Sequence, residues 1–172
     1  MFTFAQLLVK AQCNMSEAMH APRLAVHVRP TSAVVLCIDD DEVVLEVTHA
    51  VLKKNGYSVL TATNGHRALE VFRENAVDLV LVDYEMPGMK GHEVAAEVRA
   101  FNPEVPVVLH SGAAEIPETA IKLSDAFISK GSDTCVLVAT IAHLIKKSRA
   151  RAGRHRTEQA TFASTPYVEG AK

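Results

Sequence analysis

Between residues 33 and 145, short apolar runs alternate with longer stretches in which apolar residues recur every three or four positions. The apolar runs are rich in β-branched residues, which is typical of strands buried on both faces, and they cover 33–38, 57–62, 79–82, 105–110 and 126–129. The longer stretches predict helices at 42–55, 65–75, 90–101, 116–123 and 134–147. Because parallel strands need crossover connections, this alternation predicts an α/β domain with a parallel sheet and helices on both faces.

The segments outside this alternation have a different character. Residues 1–32 contain Pro22 and Pro30 and show no firm element, so we expect a poorly ordered extension before a domain at 33–147. Residues 148–172 are basic and then polar, and we expect them to be a disordered tail.

The net charge of −2 is unevenly distributed along the chain. Residues 33–145 contain 8 basic and 17 acidic residues, whereas residues 146–172 contain 7 basic and 2 acidic residues. Such basic runs are most often solvated, so nucleic-acid binding is not expected, although a nucleic-acid-binding arm is one alternative.

The apolar start of the chain lacks a basic region of the signal-peptide kind, and no run approaches the roughly 20 apolar residues that span a bilayer. These features favour a cytoplasmic protein with no membrane partner.

Acidic residues, a serine and a lysine follow several of the predicted strands. Asp39 and Asp40 follow the first strand and Asp83 the third, while Ser111 and Lys130 lie at the ends of the fourth and fifth. In a doubly wound sheet, reactive groups gather at the carboxyl ends of the strands, so we expect these side chains to share one cleft.

That set suits phosphoryl chemistry. Clustered carboxylates repel one another unless a cation shares their site, and Mg²⁺ prefers a few carboxylate oxygens together with water and phosphate. A lysine can pair with a phosphoryl oxygen, and a carboxylate can serve as both nucleophile and phosphoryl carrier. The pattern therefore predicts a magnesium-dependent phosphoryl-transfer site.

The segments 35–42 (VLCIDDDE) and 79–91 (LVLVDYEMPGMKG), together with Ser111 and Lys130, resemble the receiver domain of bacterial two-component response regulators. The resemblance implies a flavodoxin-like (βα)5 fold with strand order 2-1-3-4-5. It also implies a stand-alone receiver, similar to the single-domain chemotaxis regulators, that takes a phosphoryl group from a sensor histidine kinase or a histidine phosphotransfer protein. Such a protein switches the binding of a downstream target and is not a turnover enzyme.

The resemblance also implies a role for each motif position. Asp83 would be the phosphorylated residue, and Mg²⁺ would be held by Asp39, Asp40, Asp83 and the backbone carbonyl of Glu85. Ser111 and Lys130 would bind the phosphoryl group. Phe127 would be the aromatic residue that moves together with Ser111 in switching.

Three features depart from the family pattern. Gly131 follows the lysine where the family usually has a proline, and a looser loop is expected there. The segment between Ser111 and Lys130 is short and contains Pro117, so the fourth helix should be short. No output domain follows in the sequence, which is why a stand-alone receiver is expected.

An enzyme is the main alternative. Phosphatases of the haloacid dehalogenase type also combine an aspartate nucleophile with Mg²⁺, and Asp83-Tyr84-Glu85 faintly resembles their Asp-x-Asp loop. Glu85 in place of the second aspartate, and the acidic pair on an earlier strand, oppose this interpretation.

Overall fold

The computed structural model describes residues 32–113 and 115–163, with side chains as far as Arg154. Five parallel strands form one sheet in the order β2-β1-β3-β4-β5, which confirms the predicted fold. The strands are β1 Val34–Ile38, β2 Ser58–Ala62, β3 Leu79–Val82, β4 Val107–Ser111 and β5 Ala126–Ser129. The helices are α1 Glu42–Lys54, α2 Gly65–Glu74, α3 Gly91–Phe101, α4 Glu118–Lys122 and α5 Thr134–Ala163.

Alternating strand residues enter two separate cores. On one face of the sheet, residues such as Leu36, Val80 and Leu109 pack against α2 and α3. On the other face, residues such as Val35 and Leu81 pack against α1 and α5. Strands covered on both sides explain the nearly continuous apolar runs in the sequence.

The ends of α1 and α2 are set by side chains that the sequence supplies locally. The Asp41 carboxylate accepts hydrogen bonds from the backbone N–H groups of Val43 and Val44, which caps α1. The Asn64 side chain caps α2 in the same way through the N–H of Arg67. Gly56, with a φ of 88°, makes the turn after α1.

The fourth helix is short, as predicted. It has 5 residues and begins directly after Pro117. Its end is tied to α3, because the Arg99 guanidinium donates to the carbonyl of Leu123 at 2.7 Å and to the Asp125 carboxylate at 3.0 Å.

The last helix differs most from expectation, since it runs 30 residues to Ala163 instead of ending near Lys147. Residues 148–163, which were expected to belong to a disordered tail, are therefore helical. No proline interrupts them, and their alanine, arginine and glutamine residues favour helix. Tertiary contacts support the first part of the extension, where Ser148 donates to the Glu104 carbonyl and Arg149 pairs with Asp78. The predictions for residues 1–31 and 164–172 lie outside the described residues.

None of the helices in the described part of the chain is long and apolar enough to cross a bilayer.

Candidate functional site

The predicted site residues meet at the carboxyl edge of the sheet because the backbone ladders continue to the strand ends. The N–H of Asp83 donates to the carbonyl of Ile38 at 2.8 Å, which places the end of β3 beside the end of β1. The N–H of Lys130 donates to the carbonyl of Ser111 at 3.0 Å, which does the same for β5 and β4. Residues far apart in sequence are thus held at one edge.

Three carboxylates lie together there. Asp39, Asp40 and Asp83 each place a carboxylate oxygen within 4.8 Å of the others. Asp39 and Asp83 are buried, at 4% and 6% exposed, whereas Asp40 is exposed to solvent. Such a set of oxygen donors, open on one side, fits a hard divalent cation such as Mg²⁺.

The Lys130 ammonium joins the two buried carboxylates. Its Nζ lies 2.7 Å from Oδ2 of Asp39 and 2.7 Å from Oδ2 of Asp83. Burial lowers the pKa of Lys130, but the hydrogen bonds and charges of the two aspartates outweigh it, and the pKa is raised overall. The lysine therefore remains a fixed positive charge at the site.

Burial acts in the opposite direction on Asp39. It raises the pKa of this carboxyl group above its ordinary value, and the hydrogen bond from Lys130 only partly offsets the effect. A second cation beside Asp39 would favour its ionised form.

Backbone amides fix the remaining carboxylate oxygens. The N–H of Asp41 donates to Oδ1 of Asp39 at 3.1 Å, and the N–H of Glu85 donates to Oδ1 of Asp83 at 3.3 Å. The sequence identified these residues without showing that their backbone orients the carboxylates. The sequence indicates these contacts only indirectly, through the spacing: in both cases the donor N–H lies two residues after the accepting aspartate.

A close backbone contact supports the loop after Asp83. The N–H of Gly91 donates to the Tyr84 carbonyl at 3.0 Å, and a Cβ at Gly91 would overlap the Asp83 carbonyl oxygen. The sequence alone does not indicate a role for this glycine.

Ser111 and Phe127 occupy neighbouring strands. Ser111 ends β4 with only 1% exposure, and its hydroxyl accepts a hydrogen bond from the N–H of Ala113 at 3.3 Å. Phe127 is opposite Leu109 in the β4–β5 register and is partly buried against the core on the α2 and α3 face. Ser111 is thus joined to Lys130 through the backbone, and Phe127 lies three residues before the lysine on β5.

The turn after Lys130 closes without the usual proline. The N–H of Gly131 donates to the Ser129 hydroxyl at 3.3 Å, and the N–H of Ser132 donates to the Ser129 carbonyl at 2.9 Å. Both bonds hold the loop that carries the lysine.

A doubly wound parallel sheet with an acidic cluster and a lysine at its carboxyl edge belongs to the class of open α/β domains that bind ligands at the carboxyl ends of their strands. The family profile described as response regulator receiver domain matches residues 35–142. The chain therefore belongs to the response regulator receiver family, whose members accept phosphoryl groups in two-component signalling and are signalling domains, not turnover enzymes.

Curated and solved relatives agree with this assignment. The chain is 32% identical to the transcriptional regulatory protein CseB of Streptomyces coelicolor over 76% of its own length and 57% of that protein. A receiver domain from Methanospirillum hungatei shares the fold, with a TM-score of 0.66 at 23% identity over 70% of this chain and 99% of that one. The response regulator TrrA of Thermotoga maritima, solved in complex with Mg²⁺ and BeF, has a TM-score of 0.63 at 29% identity, covering 65% and 98% of the two chains.

The chain spans less than two thirds of the length of the curated relatives that it matches best, for example 59% of VanRB of Enterococcus faecalis, 57% of CseB and 15% of the sensor kinase/phosphatase LuxN of Vibrio harveyi. The similarity therefore concerns the receiver domain and not the whole of those proteins.

Proposed function

We propose that the chain accepts a phosphoryl group on Asp83 in a magnesium-dependent reaction. The observation that carries the proposal is the position of the Lys130 ammonium, 2.7 Å from both Asp39 and Asp83, at the edge of a cluster of three carboxylates. The complex of the related TrrA protein with Mg²⁺ and BeF supports the same kind of site here.

Asp39, Asp40 and Asp83 would hold Mg²⁺ together with the backbone carbonyl of Glu85. The bound ion supplies positive charge that neutralises phosphoryl oxygens and lowers the repulsion between the carboxylates. The role of the Glu85 carbonyl rests on the family resemblance alone and stays a prediction.

The chemical step is an exchange of one bond to phosphorus for another. An oxygen of the ionised Asp83 carboxylate attacks phosphorus, and the bond from phosphorus to the donor breaks, with its electron pair leaving on the donor. The product is an acyl phosphate on Asp83. Lys130 then pairs with a phosphoryl oxygen, so that its positive charge follows the negative charge gained at the site.

Residues near Lys130 would convert phosphorylation into a change of conformation. We propose that the Ser111 hydroxyl binds another phosphoryl oxygen and that Phe127 moves inward with it, which shifts the population toward a state with altered partner binding. The phosphodonor would be a sensor histidine kinase or a histidine phosphotransfer protein, and the downstream target would be a protein. That the chain acts as a stand-alone receiver stays a prediction, as do its domain boundaries.

Incubation with acetyl phosphate and Mg²⁺, followed by intact-mass analysis, tests the proposal. We expect one added phosphoryl group on the wild-type chain, and none on Asp83→Asn or when EDTA removes the metal. An unmodified wild-type chain, under conditions that label another receiver domain, would contradict it.

Two adjacent aspartates supply a matched control. Asp40→Asn removes a proposed metal ligand and should slow labelling by at least about tenfold. Asp41→Asn removes the same charge one residue away while keeping a side chain that can cap α1, so it should label at close to the wild-type rate. Equal rates for the two variants would show that Asp40 does not bind the metal.

A further inference from the structure

The middle of α5 carries three basic side chains on one face. Lys147, Arg151 and Arg154 follow the i, i+4, i+7 spacing that aligns residues along a helix. All three are exposed, and none of them forms an ion pair with another residue in the part of the chain that the structure describes. We refer to these three residues as the basic stripe.

A neighbouring basic residue has a different role. Arg149 places Nε and Nη2 at 3.2 and 2.9 Å from Oδ1 of Asp78, and Oδ2 of Asp78 accepts from the N–H of Val34 at 2.8 Å. Arg149 therefore fastens α5 to the end of the sheet where β1 and β3 begin. Residues two apart on a helix do not share a face, so the basic stripe lies away from this contact.

Several features of residues 150–154 weaken the helix there. Residues 150–154 are all exposed, and Gly153 is a poor helix former. Like charges at i,i+4 and i,i+3 repel each other, as in the pairs Lys147–Arg151 and Arg151–Arg154. A polyanion that neutralises the basic stripe would remove this repulsion and stabilise the helix.

The composition of the basic segment 146–156 favours one kind of polyanion. A membrane-bound helix needs a large apolar face beside its basic one, but residues 146–156 contain only alanine and glycine as apolar residues. Protein interfaces usually rely on aromatic or large apolar anchors, and the same segment has none. Contacts to nucleic-acid phosphates need only positive charge and guanidinium groups.

We propose that the basic stripe binds the phosphate backbone of duplex DNA. A single helix fits the major groove, and guanidinium groups can pair with phosphate oxygens in a bidentate way. Residues 33–145 carry a net charge of −9 and repel DNA, so the contact should be confined to the helix that projects beyond them. The sequence alone favoured solvated charge, and the helical presentation of the stripe changes that assessment.

Fluorescence anisotropy with a labelled 30-base-pair duplex of mixed sequence, over a range of salt concentrations, tests the proposal. For the full chain we expect nonspecific binding with a Kd on the order of 10⁻⁴ to 10⁻⁶ M that weakens steeply with salt. The triple variant K147Q/R151Q/R154Q should bind at least about tenfold more weakly at low salt, and the slope of log K against log salt should fall by about 2.7. Glutamine has nearly the same helix propensity, and circular dichroism checks that the fold is retained.

The control variant R67Q/R73Q/K122Q removes the same charge from exposed positions on α2 and α4. It should bind DNA within about twofold of the wild-type chain, since it leaves the stripe and all its phosphate contacts intact. No binding by the wild-type chain at low salt would overturn the proposal. So would equal weakening in the two triple variants, or binding to anionic lipid vesicles in place of the duplex.

Discussion

The buried charged side chains of the site are joined by contacts between distant parts of the chain. Lys130 contacts Asp39 and Asp83 through its ammonium group, while its own backbone N–H is bound by Ser111. An ammonium group between two buried carboxylates balances part of their charge without removing the net negative charge of the cluster. This residual charge is the property that makes a divalent cation, and later a phosphoryl group, fit beside the same lysine.

His110 lies next to Ser111 on β4, in an environment that lowers the pKa of its imidazole. It lines a small pocket with Cys37, Thr48 and Leu81 on the α1 side of the sheet. Burial lowers the pKa of His110 to about 4, and the positive charge of Lys130 adds to the effect. The imidazole is therefore neutral in the folded protein at pH 7.

This environment predicts a pH dependence of stability. As pH falls below 6.5, the unfolded chain protonates at His110 before the folded chain does, so stability present above that pH is lost progressively toward pH 4. Between pH 7 and pH 5, the free energy of unfolding should fall by about 2 kcal/mol more in the wild-type chain than in His110→Gln. Urea unfolding at the two pH values measures the difference, and equal losses in both proteins would contradict the prediction.

At the scale of elements, the start of α3 packs tightly against the loop that follows β3. The Gly91 N–H bonds the Tyr84 carbonyl, the Glu93 carboxylate accepts from the N–H of Lys90 at 2.7 Å, and no room remains for a side chain at position 91. The first turn of α3 thus sets the path of the backbone that carries Asp83.

Gly91→Ala should therefore move this backbone or strain it. We expect a loss of about 1–3 kcal/mol in the free energy of unfolding, measured with urea, because the added methyl group overlaps the Asp83 carbonyl. Gly112→Ala serves as the control, since a Cβ there meets nothing within 4 Å and the backbone has no positive φ. A loss of the same size in both variants would show that the close approach at Gly91 is not the cause.

The elements also show what the sequence can predict. The strand at 79–82 was predicted with its observed bounds because its apolar run is bounded by polar residues at both ends. The end of α5 was missed, because the apolar pattern that predicts a packed helix stops near Ile145 while the helix continues. Its continuation is supported by Arg149 and Asp78, a pair 71 residues apart that no local pattern reveals.

At the scale of the whole molecule, the order of the strands determines which residues come together in the site. The site residues come from four separate parts of the chain, and the parallel sheet brings them to one edge. That these residues meet was predictable, because the carboxyl ends of parallel strands lie at one edge of a sheet. The backbone donors at Asp41 and Glu85, and the absence of space at Gly91, required the three-dimensional structure.

The proposed signalling role of the whole molecule requires that the phosphoryl group resides on Asp83. Borohydride reduces an acyl phosphate to an alcohol, so treating the acetyl-phosphate-labelled chain with borohydride converts the phosphorylated aspartate into homoserine. Peptide mass spectrometry then locates that residue. We expect homoserine at position 83, dependent on both acetyl phosphate and Mg²⁺. Homoserine at any other aspartate, or none in a chain that gained a phosphoryl group, would contradict phosphorylation of Asp83.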